Sequence, residues 1–284
     1  MKKVLVTGGA GFIGSNLISN LIHKKYDITS IDNYSIGSKN NHYSEVKYID
    51  DDINNINKLN LKNFDYCFHL AAQSRVQPSF TNPEESFRSN VSGTFKIIEW
   101  TKDNCKKLIY AGSSSRHHDH YASPYATTKY LGEEICKLYK KSFNLKIEIA
   151  RFYNVYGPNE PVDEKFGNVI GIWRSKLKSG NSLPIVGDGN QKRDFTHVAD
   201  IVSGIIAIAD SDKMHDDAWE LGSGVNYSVN DLLSMFKEKF DVNSHFVKDQ
   251  PGNFRESIRV NDDSLELLNW YPKDRLKDYI NSLK

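Results

Sequence analysis

The chain is expected to fold as an α/β protein, a doubly wound parallel sheet with a smaller C-terminal α/β lobe. Three observations predict this. Short β-branched or aromatic runs alternate with helical patterns through the first half, the rhythm of βαβ crossovers. A glycine-rich turn, Thr7-Gly8-Gly9-Ala10-Gly11-Phe12-Ile13-Gly14, separates the first run from the first helical pattern. The runs are nearly continuous in apolar residues, as in a sheet covered on both faces.

Lys3–Val6 is the first strand and ends in the glycine turn. Phe12, Ile13, Leu17, Ile18 and Leu21 then recur at helical spacing over Phe12–Ile22. Asp27–Ile31 reads as a second strand closing on Asp32, Val46–Ile49 as a third and Phe64–Leu70 as a fourth. A helix is expected over Glu84–Asp103, a fifth strand over Lys107–Ala111 and a sixth over Lys146–Ala150. Between the last two, Ser123-Pro124 is a helix-start signal for Tyr125–Phe143. After Arg151 the rhythm loosens around Pro158, Pro161 and Pro184. Helices are expected near Val169–Lys178, His197–Asp210, Asn230–Phe240 and Ser264–Leu268. The sheet domain would span 1–153, with 195–215 returning to it, and the second lobe would take 154–194 and 216–284.

Bulk composition excludes several functions. Lys and Arg number 37 against 36 Asp and Glu, a net charge of +1, whereas nucleic-acid binders carry a basic excess or stripe. Cys67, Cys105 and Cys136 are odd in number and widely spaced, with no CxxC. Reduced thiols in a cytoplasmic protein are expected rather than disulfides or structural zinc. The first apolar run, Val4–Val6, is too short for a signal-peptide core. No stretch approaches the ~20 apolar residues of a membrane span.

The glycine turn supplies the first local chemistry. Gly8, Gly11 and Gly14 form GxxGxxG between a strand and a helix. A phosphate can rest on helix N–H groups only where no Cβ intervenes. Asp32 ends the next strand, where a carboxylate accepts hydrogen bonds from an adenosine ribose and repels a 2′-phosphate, so NAD is expected over NADP. Asp52-Ile53, after the third strand, can hold the adenine edge, or the run Asp50-Asp51-Asp52 is only a solvated surface.

Tyr125-Ala126-Thr127-Thr128-Lys129 is a YxxxK, and residues four apart share a helix face. Lys129 is therefore expected beside the Tyr125 ring, where an ammonium lowers the phenol and makes it a usable base. The preceding strand ends in Gly112-Ser113-Ser114-Ser115, and ligands gather at the C-terminal ends of parallel strands. Ser113 there can share a proton with Tyr125 while bonding a substrate hydroxyl.

These pieces together resemble the extended short-chain dehydrogenase/reductase family, and within it the nucleotide-sugar 4-epimerases. Further marks of the resemblance are Asp32-Asn33, His69-Leu70-Ala71-Ala72-Gln73, Asn90–Thr94, Arg151–Pro158, Gly187-Asp188-Gly189 with Arg193-Asp194-Phe195, and Leu221–Gly224. The resemblance implies that Phe12, Ile13, Asn33, Ser38, Leu70, Ala71, Ala72, Gln73, Asn90 and Phe152 belong to the NAD site, with Tyr153 also near its nicotinamide end. It implies that Asn154, Asn168 and Val169 hold the nucleotide-sugar, that Pro184 and Val186 line the base, and that Arg193 binds the pyrophosphate. It also implies a homodimer through the helices near 84–103 and 125–143.

Dehydratases and decarboxylases similar to this chain place an acid beside the serine; here Ser114 and Ser115 follow Ser113. Epimerase-reductases of the family use a pocket cysteine, and no cysteine here stands at that place. The expected reaction is therefore NAD-dependent inversion at C4 of UDP-Glc/Gal and of UDP-GlcNAc/GalNAc. The alternatives are a 4,6-dehydratase or reductase on another NDP-sugar, or a non-catalytic NAD-binding protein. The small Ser257 stands where similar glucose-only enzymes carry a bulky residue, which leaves room for an N-acetyl group.

Several positions depart from the family pattern. Arg116-His117-His118-Asp119-His120 replaces a longer loop before Tyr125. Adjacent residues of a short loop seldom close a coordination sphere, so no metal is expected there. Arg75 is open between a contact to a sugar substituent or phosphate and a surface ion pair. Gln250 and Asn253 stand where relatives carry Arg and Asp, which leaves a nucleotide other than UDP open.

Overall fold

A computed structural model describes residues 1–284. β1 (Lys3–Thr7), α1 (Phe12–His23), β2 (Asp27–Asp32), β3 (Lys47–Asp50) and β4 (Phe64–His69) follow in chain order. α2 (Val76–Thr81) and α3 (Pro83–Phe87) lead through a π-helical turn at Arg88–Gly93 into α4 (Thr94–Asn104). β5 (Cys105–Ser113), α5 (Pro124–Phe143) and β6 (Ile147–Phe152) complete the first half. The rest comprises β7 (Val155–Tyr156), α6 (Val169–Lys178), β8 (Leu183–Val186), β9 (Lys192–Asp194), β10 (Thr196–His197) and α7 (Val198–Asp210). It closes with β11 (Trp219–Leu221), β12 (Asn226–Ser228), α8 (Val229–Lys239), β13 (Ser244–Val247), α9 (Asp263–Leu268) and α10 (Leu276–Ser282).

Seven strands form one sheet in the order β11-β6-β5-β4-β1-β2-β3, and every pairing in it is parallel. This is the doubly wound arrangement, whose strand order reverses between β1 and β4 and opens a crevice there. The pleat divides β1: Val4 and Val6 face a core with α1 and α7, whereas Leu5 faces the opposite core with α4 and α5. A third core, built on Trp173, Phe236, Leu183 and Ile280, belongs to the lobe.

The helix expected over Glu84–Asp103 is present, and the π turn within it seats Asn90 inward: its Oδ1 accepts from the Gln73 backbone N–H at 2.8 Å and its Nδ2 donates to Thr128 Oγ1 at 3.0 Å. One expectation is corrected. Residues 216–284 do not all belong to the lobe. Trp219–Leu221 pairs with β6 as the sheet's edge strand, and Trp219, Leu221 and Trp270 lie in the α1/α7 core. Three residues are too short a run to announce a strand by alternation. No helix is long and apolar enough to cross a membrane.

Candidate active site

The crevice opens into a cavity of about 580 Å³ that reaches from the glycine turn into the lobe. At one end lie Gly8, Gly11, Phe12, Ile13 and Gly14, with Asp32, Asn33, Asp52 and Ile53 beyond them. Leu70, Ala71, Ala72, Phe152 and Tyr153 line the middle with Ser113, Tyr125 and Lys129. Asn154, Asn168, Val169, Pro184, Val186, Arg193 and Ser257 line the lobe side.

Three expected cofactor residues stand outside the lining. Asn90 and Gln73 are bonded to each other behind it, so they hold the wall rather than face the cavity. Ser38 donates its backbone N–H to the Ala10 carbonyl, and its hydroxyl caps the turn at Lys39–Asn41. Residues that sequence reasoning passed over also line the space, among them Ser35, Ile36 and Gly37 after Asp32. Only glycine 37 carried a local signal.

The glycine end fits a dinucleotide. Gly8 sits at φ +73°, and a Cβ there would meet the Ala71 backbone at 2.8 Å. A Cβ on Gly14 would lie 2.2 Å from the Gly8 carbonyl oxygen, so only glycine lets α1 approach β1 this closely. Gly11 gives α1 no side-chain cap, and the first N–H groups of a helix have no intrahelical acceptor. Those donors face the cavity and suit phosphate oxygens. Asp32, buried, accepts from the Ala10 N–H at 2.9 Å and the Tyr34 N–H at 2.8 Å. Burial pushes its carboxyl up, with those two N–H groups acting against the rise. A Cβ on Gly37 would stand 3.0 Å from both Asp32 oxygens, so glycine keeps that carboxylate reachable. Asp52 lines the cavity and also caps Ile53–Lys58 and pairs with Arg88 at 2.8 Å.

The reactive end combines β5 and α5. Ser123 caps α5, accepting from the Ala126 N–H at 3.1 Å, and Pro124 begins the helix. This start brings the Tyr125 hydroxyl to 3.3 Å from Ser113 Oγ, to which it donates. The short loop therefore still delivers the pair. Ser115 donates to the same Oγ from its hydroxyl at 2.9 Å. Burial pushes the Tyr125 phenol up, while the Ser113 bond and the Arg75 guanidinium pull the other way. The expected partnership with Lys129 takes a different form. Its ammonium donates to the Ala111 carbonyl and lies 4.5 Å from the Tyr110 ring centroid. The helix face is shared as expected, but the long side chain runs down to the sheet.

The histidines of the short loop diverge. His117 Nε2 lies 2.9 Å from Glu220 Oε1, His118 stacks on Phe254 with centroids 4.0 Å apart, and His120 stacks on Tyr130 at 4.4 Å. No group of three His, Cys, Asp or Glu converges to hold a metal ion. Arg193 is half-buried on the lobe side, with Nη1 donating to the Lys192 carbonyl at 2.8 Å. Arg75 makes no surface ion pair; it lines the cavity.

Burial pulls the Lys129 ammonium down to about 8 from the ordinary lysine value of 10.5. Between these values the unfolded chain holds more protons than the native one, so stability rises with pH across that window and is lost as pH falls through about 8. Lys129→Met should abolish this rise. Urea midpoints at about pH 7.5 and about pH 10 should show the wild type gaining on the order of 2–3 kcal/mol over the variant. Parallel changes in the two proteins would refute it.

The profile of the family described as NAD dependent epimerase/dehydratase matches residues 4–222. A putative UDP-glucose 4-epimerase of Methanocaldococcus jannaschii is 33% identical over 297 residues, covering 98% of this chain and 95% of the relative. A UDP-N-acetylglucosamine 4-epimerase of Methanobrevibacter ruminantium, solved with UDP-N-acetylmuramic acid, superposes with a TM-score of 0.88 at 28% identity over 99% of this chain and 96% of that one. A UDP-glucuronic acid 4-epimerase of Bacillus cereus, solved with UDP-glucuronic acid and NAD, gives 0.87 at 27% identity over 99% and 97%. The chain belongs to the NAD dependent epimerase/dehydratase family, and its cofactor is NAD.

Proposed function

We propose that this enzyme inverts C4 of a UDP-activated hexose, with UDP-Glc/Gal and UDP-GlcNAc/GalNAc as substrates. The observation that carries the reading is the Tyr125–Ser113 contact of 3.3 Å in the same cavity as the glycine cradle and Arg193. The UDP-sugar epimerases among its relatives support it.

The residues divide the work as follows. Arg193 offers bidentate donors to the pyrophosphate, while Asn154, Asn168 and Val169 flank the nucleotide-sugar and Pro184 and Val186 flank its base. Tyr125 removes the C4 hydroxyl proton, with Ser113 bridging, and returns it at the end. NAD held at the glycine turn and Asp32 would supply the hydride acceptor and donor for C4. Inversion then requires the sugar ring to present its other face, which a cavity of about 580 Å³ accommodates. Ser114 and Ser115 follow Ser113 where dehydratases and decarboxylases resembling this chain carry an acid, which favours epimerisation. A non-catalytic role would leave the assembled Tyr125–Ser113 pair without use.

Incubating the protein with UDP-, GDP-, CDP- and dTDP-hexoses and reading products by NMR tests the reaction. A C4-inverted UDP-sugar formed without added cofactor is expected; a 4-keto-6-deoxy product would overturn the assignment. Tyr125→Phe should lower turnover by roughly 10²–10⁴, and near-full activity in that variant would remove Tyr125 from the mechanism.

Ser257 supports N-acetyl substrates. It is 6% exposed, faces the cavity, and its hydroxyl has no protein partner. Ser257→Tyr should depress UDP-GlcNAc turnover selectively; unchanged N-acetyl turnover would refute this.

A cytoplasmic homodimer completes the reading. Phe87, Phe95, Leu138 and Phe143 are exposed on α3, α4 and α5, and the three cysteines are unpaired, as in a reducing compartment. Sedimentation should give twice the chain mass of 32.4 kDa, and cell fractionation should recover the protein with the cytosol. A stable monomer, or recovery elsewhere, would contradict it.

A further inference from the structure

Arg75 is the unexplained cation of the cavity. It is not glycine, yet its backbone stands at φ +107°, ψ +139° where it precedes α2. Such a conformation persists only where the surroundings enforce it, and its occurrence at a ligand cavity marks a position worth reading for function. Its Nε donates to the Phe166 carbonyl at 2.8 Å, which anchors the side chain across the cavity from the lobe. That bond uses one of the five guanidinium N–H donors. The other four have no protein partner, and the side chain lies on the wall of the cavity that also holds Tyr125.

The nearby acids bond other groups, although Glu160 keeps its second, buried oxygen without a partner. Glu160 accepts from Arg174 at 3.0 Å and from the Tyr279 hydroxyl at 3.1 Å. Asp163 Oδ1 accepts from the Lys165 and Phe166 N–H groups at 3.0 and 2.8 Å. The cavity thus holds two guanidiniums. Arg193 sits on the lobe side, where its charged neighbour is Arg255. Arg75 sits at the Tyr125 end. One serves the pyrophosphate; the other has no anion to meet if the sugar is neutral. A planar fork of N–H groups held at a fixed angle matches a carboxylate bidentately.

We infer that Arg75 forms an anion subsite beside Tyr125, which selects nucleotide-activated sugars whose hexose carries a carboxylate. The inference rests on the epimerase reading, since that reading sets the sugar at Tyr125, and it extends the substrate class of the same site from neutral to acidic hexoses.

UDP-glucose and UDP-glucuronic acid differ only at C6 and serve as the probes. The wild-type enzyme should show a higher kcat/KM for UDP-glucuronic acid. Arg75→Gln should lower that value roughly 10–100-fold, the effect of losing a charge-assisted bidentate contact, and lower UDP-glucose turnover by a clearly smaller factor, so that the ratio of the two falls. Arg75→Gly, which relaxes the backbone, should lose the acidic sugar equally and so controls for misfolding. Preference of the wild type for UDP-glucose, or equal losses on both substrates, would overturn the inference while leaving the epimerase reading intact. If no UDP-sugar were inverted at C4, the reading would fail. Calorimetric binding of UDP-glucuronic acid to wild type and Arg75→Gln would then still decide the subsite: weaker binding by the variant upholds it, equal binding overturns it.

Discussion

The guanidinium of Arg151 ties together the parts that meet at the cavity holding Ser113 and Tyr125. It is 1% exposed and donates to Glu133 on α5 at 2.9 and 3.0 Å, to Asp217 at 2.7 and 3.0 Å, and to Glu220 on β11 at 2.8 Å. Glu133 in turn accepts from the Ser113 backbone N–H at 3.3 Å. Glu220 takes the Tyr153 hydroxyl at 2.6 Å and faces His117. One cation therefore fixes α5, the end of β5, the edge strand and the short loop relative to one another. Burial works to raise the Glu220 carboxyl, yet its bonds to His117, Tyr153 and Arg151 hold it below the usual range. Losing one partner from such a buried set costs about 3–5 kcal/mol because a charge is left uncompensated. The network is thus a constraint on geometry more than a net source of stability.

That constraint explains what the residues reveal in advance and what they conceal. The strand–glycine–helix start, Asp32 at the end of β2 and the Tyr125 helix are local features. Each follows from neighbours in sequence, and each lies where the pattern puts it. Arg151, Glu133, Asp217 and Glu220 are scattered over 88 positions and carry no periodic signature, so their convergence emerges only with the topology. The same holds for β11, which finds its place through β6 rather than through its own three residues. Asn90 shows the intermediate case. The resemblance points to it, but the π turn that aims it at Gln73 and Thr128 rather than at the cavity is not legible in the sequence.

Lys129 illustrates how spacing can be right and the contact different. Positions four apart do share a helix face. A lysine stem is long enough, however, to bypass the Tyr125 ring and reach the Ala111 carbonyl at the base of the site. There it neighbours His69, whose pKa is lowered to about 3 by burial and by that ammonium. His69 consequently stays neutral, bridging Thr7 at 2.7 Å and Thr94 at 3.1 Å. The floor beneath the reactive residues is thus a set of hydrogen bonds with a single charge in it.

The rim follows from the short loop. With few residues between Ser113 and Tyr125, the loop cannot reach over the cavity, and the lobe reaches back instead. Gln77 donates to the Pro251 carbonyl at 2.9 Å, and His118 stacks on Phe254. Gly252, at φ +76°, lies so close that a Cβ would stand 2.7 Å from Val76 Cγ1 and 3.2 Å from the Ala122 carbonyl oxygen. Segment 250–254 therefore serves as the strap that joins the lobe to the sheet domain. The covering that a longer loop would provide from the sheet side comes here from the lobe, through the contacts of Pro251, Gly252 and Phe254.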